Sequence, residues 1–125
     1  MKKISVLIVE DDADIRELYS DAVESVGLHV LKAADGSEGV KLALEHHPDV
    51  ILMDIMMPVM NGHKAVNEIR KDSWGKTAKV VYLTNLSDAE NVITAVSQGS
   101  EEYIIKANTS IKEIINKVRT AMNLK

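Results

Sequence analysis

Glu10-Asp11-Asp12, Asp54, Thr84 and Lys106 are of types that could do chemistry together if the fold brings them to one place. Each follows a strand-like run: Ile4 to Val9, Val50 to Met53, Lys79 to Leu83 and Glu102 to Ile105. A carboxylate such as Asp54 can act as a nucleophile toward phosphorus. Several carboxylates crowded together resist joint ionisation unless a positive charge intervenes. A hard divalent cation with oxygen ligands answers that need, and Mg²⁺ is typically held by one or two carboxylates plus a substrate phosphate. Lys106 supplies a second positive charge and Thr84 a neutral hydroxyl donor. Phosphoryl transfer asks for positioning and charge neutralisation more than for proton shuttling. Taken alone, however, Asp54 could equally cap the turn or helix that follows it. The elements that carry these residues must decide.

Val50 to Met53 is a continuous apolar run, as expected of a strand buried on both faces of a parallel sheet, and Pro58 and Gly62 break regular structure after it. Ile4 to Val9 reads the same way. Between them, Ile15, Leu18, Tyr19, Ala22, Val23 and Val26 mark the inward face of a helix over Ala13 to Val26, with Gly27 as its stop. His29 to Ala33 predicts a weaker, edge strand. After a turn at Asp35-Gly36, Ser37 to His47 predicts a helix with Val40, Ala43 and Leu44 inward, ended by Pro48. A helix from Gly62 or His63 to Lys71 leads into a polar loop carrying Trp74. Further helices are expected at Asp88 to Gln98 and Ser110 to Met122. Five β–α units alternate without interruption, which predicts an α/β fold: a three-layer α/β/α, flavodoxin-like (βα)5 with parallel strand order 2-1-3-4-5. In such sheets ligands bind beyond the carboxyl ends of the strands, where all of these polar residues emerge.

A length of 125 residues suits a single domain, 1–125, with one hydrophobic core. With no cysteine, thiolate metal sites and cysteine catalysis are excluded. A net charge of -4 argues against a nucleic-acid surface, which needs a basic face. No apolar run approaches the roughly 20 residues of a membrane helix, and the start is too short for a signal-peptide core, so a cytoplasmic location is expected.

The motifs V-L-I-V-E-D-D at 6–12, M-D-I-M-M-P at 53–58 with Gly62, V-V-Y-L-T at 80–84 and E-Y-I-I-K at 102–106 resemble those of response-regulator receiver domains, the CheY-like family of two-component phosphorelays. The resemblance covers essentially the whole chain, and it implies a single receiver domain without an output domain. It implies Asp54 as phospho-acceptor, with Mg²⁺ held directly by Asp11, through water by Glu10, and by Asp54 and the Met56 backbone carbonyl. Asp12 matches a more variable acid and stays outside the site. Thr84 and Lys106 would bind the phosphoryl group, and Tyr103 would turn inward when Thr84 moves. The face of the fourth helix, fifth strand and fifth helix would carry the signal. The implied partners are a sensor histidine kinase or histidine phosphotransfer protein and a downstream protein effector. No direct nucleic-acid or membrane contact is expected, and the state is a monomer or a weak phosphorylation-dependent dimer. The chain would be no enzyme beyond catalysing its own phosphorylation and dephosphorylation.

This chain departs from the family pattern at Ala107, where a proline with a cis bond is usual, at Asn85, at Asn61 and at His63. Met56 and Leu86 are apolar where attacking water would be positioned, which predicts a long-lived phosphoryl group. His46 and His47 need no role beyond a helix C-terminus, and Met53, Met56, Met57 and Met60 none beyond packing. A haloacid-dehalogenase-type phosphatase would carry an Asp at position 56, and a flavin-phosphate binder would not place Glu10-Asp11-Asp12 after the first strand. A degenerate receiver acting as a phosphorylation-independent interaction module is the remaining alternative. The expected fourth helix contains no Lys or Arg, which argues against the charged dimer interface of receivers joined to winged-helix DNA-binding domains.

Overall fold

The apolar runs assemble side by side into one parallel five-stranded sheet in the order β2-β1-β3-β4-β5. The computed structural model describes residues 4–84, 102–105 and 110–122, with the backbone alone for Glu102, Tyr103 and Ile105. Within them lie β1 (Ser5–Val9), β2 (His29–Ala33), β3 (Val50–Asp54), β4 (Val80–Thr84) and β5 (Glu102–Ile105). The helices are α1 (Ala13–Ser25), α2 (Gly36–His46), α3 (Gly62–Arg70) and a C-terminal helix (Ile111–Ala121), and a 3-10 turn spans Gly75–Thr77. The expected helix at Asp88 to Gln98 falls outside the described residues.

Side-chain alternation sorts the core into two layers. Val6, Ile8, Val50, Leu52, Val81 and Leu83 pack with Tyr19 and Val23 of α1 and with Ile114 and Val118 of the C-terminal helix. Leu7, Val9, Ile51, Met53, Val80 and Tyr82 pack on the other face with Ala43 of α2 and with Ala65, Val66 and Ile69 of α3. β1 and β3 are buried along nearly their whole length because helices cover both faces, which is why they read as continuous apolar runs.

Local chemistry sets the helix boundaries. Asp12 caps α1 by accepting from the Asp14 and Ile15 N–H groups, and Asn61 caps α3 through the Lys64 N–H. Ser110 and Glu113 form a reciprocal capping box on the C-terminal helix. At Asp35-Gly36 the expected turn is instead a helix start, with Asp35 capping α2 through the Glu38 N–H. Two inward assignments fail as well. Leu18 is 53% exposed and Leu44 is 37% exposed, because the buried stripe of α1 runs through Tyr19, Ser20 and Val23 and that of α2 through Gly36, Gly39 and Ala43. The glycines let α2 lie so close to the sheet that a Cβ at Gly39 would meet the Val9 side chain at 2.9 Å. Trp74 is half-buried, packs against the second layer and stacks on His47, with ring centroids 4.5 Å apart.

Candidate functional site

The carboxyl ends of β1 and β3 are neighbours in the sheet, with Val9 opposite Met53. The residues that follow, Glu10 and Asp54, therefore emerge together. Glu10, Asp11 and Asp54 each offer a carboxylate oxygen, and these oxygens lie within 4.8 Å of one another. Glu10 and Asp54 are buried, at 1% and 3% exposure, whereas Asp11 is exposed.

The backbone holds this cluster in place. The Glu10 N–H donates to Ala33 O at 3.1 Å, and the Arg16 guanidinium donates to Glu10 O at 2.8 Å, so the β1 exit is tied to β2 and to α1. Glu10 Oε1 accepts the Asp12 N–H at 3.3 Å. Asp12 spends its own carboxylate on the α1 cap, which agrees with its expected place outside the site.

On the β3 side, Ile55 N–H donates to Leu83 O at 3.1 Å and Gly62 N–H to Ile55 O at 2.8 Å. A Cβ at Gly62 would overlap the Asp54 carbonyl, so only glycine lets α3 begin against the end of β3. The loop between them exposes Met56 (55%) and Val59 (81%). Val59 has φ +70 and the Met60 N–H donates back to Pro58 O at 2.8 Å, a γ-turn of the rarer, strained hand. Sequence reasoning missed this turn, since valine signals the opposite preference.

Thr84 is 1% exposed and closes β4, one residue past Leu83, the register partner of Asp54. Tyr103 lies in β5 opposite Tyr82. Its side chain, together with Lys106, the Lys106–Ala107 bond, Asn85 and Leu86, lies outside the described residues. Glu10, Asp11, Asp54 and Thr84 thus gather at one sheet edge, with Met56 in the loop beside them.

An all-oxygen donor set, two members buried and all within 4.8 Å, fits a small hard divalent cation such as Mg²⁺ and offers nothing to a soft one. Burial also keeps water from competing for the Asp54 carboxylate.

Comparison with known proteins agrees with this arrangement. The family model for the response regulator receiver domain matches residues 6–119. A probable transcriptional regulator, ycf27 of Guillardia theta, is 37% identical over 120 residues, covering 96% of this chain and 46% of that protein. RpaA of Synechocystis sp., described as a DNA-binding dual master transcriptional regulator, is 31% identical, covering 94% of this chain and 48% of its own length. The chain therefore spans about half the length of the curated relatives it matches. Among solved structures, the chemotaxis protein CheY4 of Vibrio cholerae superposes with TM-score 0.87 at 28% identity, over 96% of this chain and 99% of that one. The receiver domain of the Pseudomonas aeruginosa sensor histidine kinase PA1611 carries a magnesium ion in its active-site cleft. It superposes with TM-score 0.86 at 28% identity, covering 98% of this chain and 99% of that chain.

These relatives overturn the expected absence of a nucleic-acid partner, because proteins of this kind include DNA-binding regulators. A net charge of -4 averages over these 125 residues alone. It carries no information about the other half of proteins such as those relatives.

Proposed function

The chain belongs to the response regulator receiver domain family of two-component systems, and from that premise we propose that it is a phosphorylation switch with Asp54 as the acceptor. The observation that carries the proposal is the convergence of Glu10, Asp11 and Asp54 within 4.8 Å at the carboxyl edge of the sheet. Asp54 attacks the phosphorus of a phosphohistidine on a kinase or phosphotransfer protein. A P–O bond forms, the P–N bond breaks, and the electron pair leaves with the imidazole nitrogen, which takes up a proton. Asp11, Asp54 and the Met56 carbonyl, with Glu10 through water, would hold Mg²⁺, which would neutralise the charge that carboxylates and phosphoryl oxygens bring together. Thr84 donates its hydroxyl to a phosphoryl oxygen, and Lys106 pairs with another. Movement of Thr84 toward the new group, with Tyr103 following, alters the surface formed by β5 and its flanking helices, and that surface passes the signal on. The chain's catalysis is confined to itself, and its place is the cytoplasm. No helix among the described residues is long and apolar enough to cross a membrane.

The test is intact mass after incubation with Mg²⁺ and acetyl phosphate, beside Asp54→Asn. One added phosphoryl group, absent from the variant and prevented by EDTA, is the expected result. Unmodified protein that still binds Mg²⁺ would overturn the proposal in favour of a phosphorylation-independent interaction module.

A further inference from the structure

His63, the second residue of α3, sets its ring edge-on against Tyr82 of β4, with centroids 5.0 Å apart and planes at 74°. Tyr82 is 4% exposed, and the Nε2 atom of His63 is buried. An edge-to-face pair has a directional preference that two aliphatic side chains lack, because the positive ring edge seeks the negative face. The contact therefore fixes geometry as well as filling space.

Both partners lead directly to the acceptor. On the helix side, Gly62 precedes His63, donates its N–H to Ile55 O and lies against the Asp54 carbonyl. On the strand side, Tyr82 is in register with Met53, the residue before Asp54, and lies two residues before Thr84 on the same face of the sheet. Its register partner on the far side is Tyr103. The ring pair thus bridges the segment that leaves Asp54 and the strand that delivers Thr84. Neither tie is visible from sequence spacing, since positions 63 and 82 meet only through the fold.

We propose that His63 and Tyr82 are positioning residues for phosphoryl reception, their ring contact setting the separation between Asp54 and the Thr84 hydroxyl. This rests on the receiver function proposed above. Neither residue touches the phosphoryl group. They act by holding the start of α3 against β4 while the acceptor and the hydroxyl donor engage the same group. A misplacement of about 1 Å between reacting and stabilising groups is enough to slow such a step severely.

The test compares His63→Leu, which removes the ring, with His63→Phe, which keeps one, and Tyr82→Phe with Tyr82→Leu. Phosphorylation by acetyl phosphate is followed by intact mass, and Mg²⁺ affinity is measured separately by calorimetry. His63→Leu should lower the maximal rate about 2- to 10-fold, the scale of one aromatic pair, with Mg²⁺ affinity changed less than about twofold. His63→Phe and Tyr82→Phe should stay near wild type, and the double leucine variant should be no slower than the slower single variant. If Tyr82→Leu does not fold, the two His63 variants decide the matter alone. Wild-type rates in His63→Leu, or equal losses in His63→Leu and His63→Phe, overturn the proposal. So does a rate loss that merely follows a loss of Mg²⁺ affinity. Failure of the unaltered chain to take up a phosphoryl group would overturn the receiver function, and this proposal with it. Uptake that is indifferent to residue 63 overturns this proposal only.

Discussion

The two ends of the sheet solve opposite problems with the same kinds of residue. At the amino ends of β1, β3 and β4, polar side chains bind backbone groups. Asp49 Oδ2 accepts the Ser5 N–H at 2.8 Å, and Asp72 Oδ2 accepts the Trp74 N–H at 2.9 Å. One Arg70 nitrogen donates to the carbonyls of Gly75, Lys76 and Ala78 at 2.8, 3.4 and 3.0 Å. At the carboxyl ends, three carboxylates are gathered within 4.8 Å of one another, two of them buried. Close packing of like charges is unfavourable on its own. The amino end therefore serves stability, and the carboxyl end gathers like charge that a cation would offset.

Substitutions at the two ends should separate binding from stability. Asp11→Ala should weaken Mg²⁺ binding by about 100-fold, about 2.7 kcal/mol, at the upper end of what loss of a metal's supporting groups brings. Its exposed side chain lets the fold survive, so thermal unfolding without Mg²⁺ should stay at or above the wild-type midpoint. Arg70→Ala should do the reverse. Loss of charge-assisted bonds to the loop carbonyls should lower stability by about 2 kcal/mol in denaturant titration and leave Mg²⁺ affinity unchanged. If Arg70→Ala weakens Mg²⁺ binding as well, the division between the ends fails.

The mouth of the site sharpens the same contrast. Met56 is 55% exposed in the loop after Asp54, the proposed acceptor, where its thioether is a poor partner for an attacking water. Met56→Asn should therefore shorten the lifetime of the phospho-form by about tenfold, a modest part of what a positioned polar group can supply. The readout is the decay of the phosphorylated mass after the donor is removed. An unchanged decay would mean that water approaches from another side.

Much of this was legible in the chain itself. Buried strands announce themselves as unbroken apolar runs because both faces are covered, so β1 and β3 could be read directly, and the strand order followed from β–α alternation with right-handed crossovers and the flavodoxin-like order usual for five strands. The acids at 10, 11 and 54 could be placed together once that order was known. What escaped was which stripe each helix turns inward. Leu18 and Leu44 fit an apolar helical stripe by spacing, yet α2 turns Gly36, Gly39 and Ala43 to the core and α1 turns Tyr19, Ser20 and Val23. Asp35 reads as a turn residue in the sequence because turns and helix caps favour the same side chain. The His63–Tyr82 and His47–Trp74 contacts join residues far apart in sequence, and no periodicity marks them.

Val59 tests whether the carboxyl end also stores backbone strain. A β-branched residue at φ +70 is disfavoured by roughly 1–2 kcal/mol. Its side chain is 81% exposed, so little packing would be lost on replacement. Val59→Gly, which has no Cβ to strain at a positive φ, should raise stability by about 1 kcal/mol in denaturant titration. No gain would show that the turn is held without strain.

The smallest expected effect is the most direct test of separateness. Trp74 is the chain's single tryptophan, and it stacks on His47 at 4.5 Å with planes 9° apart. His47 ends α2 in a left-handed conformation and Trp74 lies just before the turn into β4, so both sit at the amino end of the sheet. His47→Asn should change the emission of Trp74, because it removes the ring stacked on the indole. The accompanying stability change should stay within about 0.5 kcal/mol, since asparagine relieves the left-handed backbone while the stacking is lost. Phosphorylation of the unaltered chain should leave that emission unchanged, because the groups proposed to receive the phosphoryl lie at the opposite ends of the strands. An emission change on phosphorylation, absent from Asp54→Asn, would mean that rigid strands transmit the event along their length. The two ends would then be parts of one switch.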